Sequence, residues 1–174
     1  SMVRYLSLIL TFMLAVSASA DLFAQGEVVA QRISATEGNF IDALHAGDDF
    51  GRSIASLGDF DLDGVVDLVV GAPGDDDAGG RKGALWILFL NPNGTVKNHT
   101  KILPPTDFDM VIGFGRSVDT IGDANGDGVP DLAVASDQVL AFVYLDRAGN
   151  AIEFKPIWSA TQNGREGLCH IGDV

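Results

Sequence analysis

The stretch Asp59-Phe60-Asp61-Leu62-Asp63-Gly64-Val65-Val66-Asp67 decides how the rest of the chain is read. Its grammar is D-x-D-x-D-G-x-x-D. A hard divalent cation such as Ca²⁺ takes about six to eight oxygen ligands, and closely spaced acidic side chains supply them. Carboxylates at loop positions 1, 3 and 5 can turn toward one centre. Glycine at position 6 permits a turn through positive φ. That turn directs the Val65 carbonyl inward, and Asp67 can close the shell.

The pattern returns 64 residues further on as Asp123-Ala124-Asn125-Gly126-Asp127-Gly128-Val129-Pro130-Asp131. The flanks move with it. Phe50-Gly51-Arg52-Ser53 becomes Phe114-Gly115-Arg116-Ser117, Leu57-Gly58 becomes Ile121-Gly122, and Asp67-Leu68-Val69-Val70 becomes Asp131-Leu132-Ala133-Val134. A single acidic loop is a weak signal, but two in register within a matching frame mark an internal repeat. The helix–loop–helix calcium hand is the rival reading. It wants Glu at loop position 12, where this chain has Val70 and Val134. The apolar runs after each loop are short and β-branched, as strands are. Both sequences therefore predict calcium loops between strands.

Phe50-Gly51, then Gly58-Asp59 with its acidic loop, then Gly71-Ala72-Pro73, resembles the FG-GAP repeat, the blade unit of the integrin α-chain β-propeller. The resemblance covers about residues 28–160. It implies an all-β fold of propeller blades, each of four antiparallel strands, with the calcium loop joining the first strand to the second. It implies two Ca²⁺ sites, one held by Asp59, Asp61, Asp63, the Val65 carbonyl and Asp67. The other is held by Asp123, Asn125, Asp127, the Val129 carbonyl and Asp131. The second copy departs from the pattern, with Ala135-Ser136-Asp137 where Gly-Ala-Pro would stand. Asn125 makes the second loop one charge poorer, so charge alone predicts weaker binding there.

The 174 residues carry 11 basic and 24 acidic side chains, a net charge of −13. Nucleic acid and anionic membrane surfaces need a basic footprint, so this balance argues against both. The one cysteine, Cys169, cannot form an intrachain disulfide. Arg4, the apolar run Tyr5–Val16 and Ala18-Ser19-Ala20 read as a signal peptide over residues 1–20, cut after Ala20. The run is too short to cross a membrane, which takes about 20 residues. The expected mature chain is therefore secreted or on the cell surface, with no membrane span.

Along the chain, residues 21–104 are expected to hold an N-terminal strand, around Val28–Ser34, and the first blade. Residues 105–160 hold the second blade, and 161–174 begin a third repeat. Ala84–Leu90 is apolar at every position and predicts a strand covered on both faces. Asp75-Asp76-Asp77 reads as a solvated hairpin tip, and His99 as an exposed strand residue. Two blades leave two open apolar faces, whereas repeat folds usually need at least three units. Further blades or other copies of the chain are the expected partners.

No G-x-S-x-G elbow, H-E-x-x-H pair or phosphate-cradling glycine loop occurs. His45, His99 and His170 are isolated in sequence, and the metal accounts for the paired carboxylates. The chain is read as a non-enzymatic module for an extracellular protein or glycan ligand. The alternatives are an accessory propeller beside a hydrolase domain, and a purely structural surface protein.

Overall fold

A computed structural model describes residues 30–40, 44–106 and 112–157. The expected signal peptide, the third repeat and Cys169 lie outside the described residues. Both sheets belong to one unit, Gln31–Val174.

The acidic loops sit where the repeat predicts, between consecutive antiparallel strands. In the first sheet, β1 (Ser53–Gly58), β2 (Asp67–Ala72), β3 (Ala84–Leu90) and β4 (Val96–Ile102) lie in that order. The second sheet repeats the order with β5 (Ser117–Gly122), β6 (Asp131–Ala135), β7 (Leu140–Leu145) and β8 (Ala151–Ile157). No helix occurs among the described residues. The fold is all-β, two four-stranded antiparallel sheets with the build of propeller blades.

The repeated small motifs now have local causes. The β1–β2 register shifts between Ser56 and Gly58, and the β5–β6 register between Thr120 and Gly122. Gly58 and Gly122 both have φ +69°, so each shift is a bulge built on a left-handed glycine. The bulge turns the strand end into the acidic loop.

β3 is the most buried strand, because its two faces belong to two cores. Leu85, Ile87 and Phe89 pack into a core between the sheets with Val69 of β2 and Val118, Leu132, Val134, Val143 and Leu145. Trp86 and Leu88 face the other way, onto Phe40, Val70, Ala72 and Val96. The expectation of two open faces is therefore corrected for the first sheet. Residues 33–40 and 44–50 cover it, with Phe40 fully buried between Phe50, Trp86 and His99 at centroid distances of 5.3, 5.1 and 5.0 Å. Two smaller expectations also change. Residues 30–33 form no strand, and Ser34 makes only an isolated bridge to Glu37. His99 is half-buried rather than exposed, because Phe40 and Trp86 pack against its ring.

The Phe-Gly and Gly-Ala-Pro motifs meet within the first repeat, where the Gly51 amide donates to the Gly71 carbonyl at 3.0 Å, and again across the two sheets. Phe114 donates its amide to the Lys82 carbonyl at 2.8 Å. Ser53 Oγ donates to the Gly115 carbonyl at 2.8 Å. A Cβ on Gly71 would lie 2.0 Å from the Gly115 oxygen and 2.4 Å from Ser53 Oγ. Gly71 is thus the hole that receives the following repeat's turn. Gly71→Ala is expected to cost about 2–3 kcal/mol, because backbone must part from backbone. Urea denaturation checks it, and a loss below about 0.5 kcal/mol would refute the tight joint.

Candidate metal centre

Each loop is shaped by its own amides before any ion is considered. In the first, Asp59 Oδ2 accepts from Gly64 N at 3.0 Å and Asp63 Oδ1 from Val65 N at 2.9 Å. In the second, Asp123 accepts from the amides of Gly126, Asp127 and Gly128 at 2.7–2.9 Å. Asp127 Oδ1 accepts from Val129 N at 2.8 Å. Position 6 has positive φ in both, +87° at Gly64 and +83° at Gly128. Position 4 is also left-handed, and there the copies differ. Gly126 adopts φ +83° without strain, whereas Leu62 holds φ +65°.

These turns gather the expected ligands of the first loop. One carboxylate oxygen each from Asp59, Asp61 and Asp63 lies within 4.8 Å of the others. Asp61 Oδ1 is buried without a hydrogen-bond partner among the described residues. A buried, unmatched carboxylate oxygen beside two others suits a cation. In the second loop Asn125 Nδ2 donates to Asp127 Oδ2 at 2.9 Å, so the amide closes part of the cluster on itself.

The ninth-position residues stand apart from these clusters. Asp67 is fully buried at the base of its loop. Its Oδ2 accepts from Phe60 N and Asp61 N at 3.1 and 3.4 Å, and its Oδ1 from Leu90 N at 2.9 Å. Asp131 repeats this, accepting from Ala124 N at 2.9 Å and Leu145 N at 3.1 Å. Each therefore ties its acidic loop to the end of the sheet's third strand. Burial pushes the Asp67 carboxyl above its ordinary range, while the three amides pull it down. Val65 and Val129 follow the position 6 turns, and the Val129 side chain is anchored in the core between the sheets.

Sequence reasoning missed several charged residues. Lys97 of β4 donates through Nζ to Asp61 Oδ2 at 2.6 Å and to Asp63 Oδ2. The ammonium holds Asp63 below the usual carboxylate range. The triple Asp is only partly solvated, which corrects the expectation for that tip. Asp75 is buried, and Lys101 Nζ lies 2.6 Å from both Asp75 Oδ2 and Asp77 Oδ2 and 5.0 Å over the Trp86 ring. His45, Asp48 and Asp76 form a second convergent group, in which Asp48 Oδ2 accepts from His45 N at 2.6 Å. The sequence signal for Lys97 and Lys101 is weak. Both lie on an outer strand whose reach to the acidic turns depends on the register of β3 against β4.

Paired sheets whose first two strands are joined by acidic, glycine-turned loops define a β-repeat module of the propeller-blade kind. Residues 50–88 match the family described as the FG-GAP repeat. The chain is similar to integrin alpha-6 of Homo sapiens, 36% identical over 110 residues, which is 62% of this chain and 9% of that protein. It is similar to integrin alpha-2 of Mus musculus, 31% identical over 119 residues, 60% of this chain and 9% of the relative. Integrin alpha-5 of Xenopus laevis is 37% identical over 89 residues, 50% of this chain and 8% of the relative. The chain thus carries an FG-GAP repeat and resembles integrin α-chains, spanning less than a tenth of their length. No helix among the described residues is long and apolar enough to cross a membrane.

Proposed function

We propose that this chain is a calcium-stabilised FG-GAP module of a secreted or cell-surface protein, used to bind an extracellular protein or glycan ligand rather than to catalyse a reaction. One Ca²⁺ is held by Asp59, Asp61, Asp63, the Val65 carbonyl and Asp67. A second is held by Asp123, Asn125, Asp127, the Val129 carbonyl and Asp131. The observation that carries this reading is the convergence of the Asp59, Asp61 and Asp63 carboxylates on one point. The similarity to integrin α-chains supports the adhesion role and the need for further blades or other copies as partners.

The ion supplies positive charge where three or four acidic groups meet, and it ties the first strand of each sheet to the second. The unfolded chain has no such cage, so binding energy adds to folding energy. At a calcium concentration of about a hundred times Kd, each site adds about 2.7 kcal/mol. Excess chelator is therefore expected to lower the melting temperature by many degrees, and added calcium to restore it. An unchanged melt in both conditions would remove the calcium assignment. Magnesium should restore less, since it demands a tighter octahedral shell.

A further inference from the structure

The two loops differ in one tethered charge that does not belong to either motif. Lys97 is the second residue of β4, just past the turn that joins β3 to β4. That turn lies at the same end of the sheet as the β1–β2 loop. From there the Lys97 ammonium reaches Asp61 and Asp63, two of the three carboxylates that converge in the first loop. About a third of its side chain stays exposed, so it can swing away into water.

The second sheet shows what the first would be without it. Leu90 pairs with Val96 after a register shift, and Leu145 pairs with Ala151 after the same shift. The residue in the place of Lys97 is therefore Ile152, which is 57% exposed. The basic residue near the second loop, Arg147, donates instead to the Gly128 carbonyl at 2.7 Å. Counting formal charges, the first loop has four carboxylates and one ammonium, and the second has three carboxylates and Asn125. The charge advantage of the first loop is cancelled by its own lysine.

We propose that Lys97 is a tethered cation that competes with the divalent ion for the first loop, so that the first loop fills at higher calcium than the second. This inference rests on the calcium reading above. It reverses the order that the loop sequences alone predict. An incoming ion must displace the ammonium from Asp61 and Asp63, whereas among the described residues no lysine or arginine pairs with the second loop's carboxylates. At low calcium the same ammonium keeps the first loop's carboxylates from repelling one another. The loop is thus held formed in both states, with a lysine as counter-ion in one and the metal in the other.

Calcium titration of the ¹⁵N-labelled full chain tests this, because Gly64 and Gly128 place one position 6 amide in each loop. The Gly128 amide is expected to shift at lower calcium than Gly64. In Lys97→Met the Gly64 midpoint should fall by about three- to tenfold, the loss expected when two exposed ammonium–carboxylate pairs no longer have to be broken, with Gly128 unmoved. Lys97→Arg should keep the midpoint high. The transplant Ile152→Lys should raise the Gly128 midpoint and leave Gly64 alone. In chelator Lys97→Met should melt below the parent chain, and at saturating calcium level with it or above. A Gly64 midpoint that stays put or rises in Lys97→Met overturns the competition. If neither amide moves in the parent chain or any variant, the calcium assignment itself falls, and the tether with it.

Discussion

Asp67→Ala is expected to destabilise the chain by about 3–5 kcal/mol even in excess chelator. The carboxylate is fully buried and takes the amides of Phe60, Asp61 and Leu90. Each buried donor left without a partner costs about 1–3 kcal/mol. A domain of this size has about 5–15 kcal/mol in all, so the variant should be close to unfolded at 37 °C. Asp67→Asn should not rescue it. All three groups facing the carboxylate are N–H donors, so one amide nitrogen would point at another donor. The comparison that isolates this effect is Asp59→Ala in the same chelator. Asp59 is exposed and accepts from Gly64 N, so its loss there should cost less than about 1 kcal/mol. Urea denaturation of the two variants should separate them clearly. Equal losses would mean that Asp67 acts only as a ligand and that its bonds to the loop base carry no stability.

Phe40→Ala is the other large loss, at about 3–5 kcal/mol. The ring is fully buried and packs against Phe50, Trp86 and His99, with Val70, Leu88 and Val96 in the same cluster. Its removal leaves a cavity that β3 and β4 cannot close, since their other faces are committed to the core between the sheets. Asn39 holds the segment in place by donating to the Val96 carbonyl at 2.9 Å. Phe40→Leu should cost less, because most of the volume is kept. Thermal melts with tryptophan fluorescence give both readouts, as Trp86 lies against the ring. A Phe40→Ala melt within two or three degrees of the parent would show that Phe40 and its flanking residues do not cover this face in solution.

Much of the site was legible from residue spacing. Asp59, Asp61 and Asp63 converge because a three-residue alternation followed by glycine leaves the backbone little choice. Gly58 and Gly122 were visible as a repeated pair, though their work as bulges needed the strand registers. Asp67 and Asp131 were read as ligands from their place in the loop. Their bonds to Leu90 and Leu145, 23 and 14 residues away, could not be read, because they depend on where β3 and β7 end. Lys97 lies 36 residues from Asp61. Nothing in the local sequence distinguishes it from any solvated lysine on an outer strand. Nothing local marks Phe40 as a core residue, because its neighbours Glu37, Gly38, Asn39 and Asp42 are polar or small. The Gly71 and Gly115 motifs were each visible, but their meeting was not, since it joins one repeat to the next.

By itself the sequence determined the repeat, the strands and the acidic turns between them. Those features depend on backbone preferences and alternation over fewer than about ten residues, and such short-range rules are written residue by residue. Tertiary structure decided which buried donors Asp67 satisfies, what covers the outer face of the first sheet, and that one loop carries a lysine among its carboxylates. Those outcomes depend on side chains brought together across strands, where packing and charge act on distance in space rather than separation along the chain.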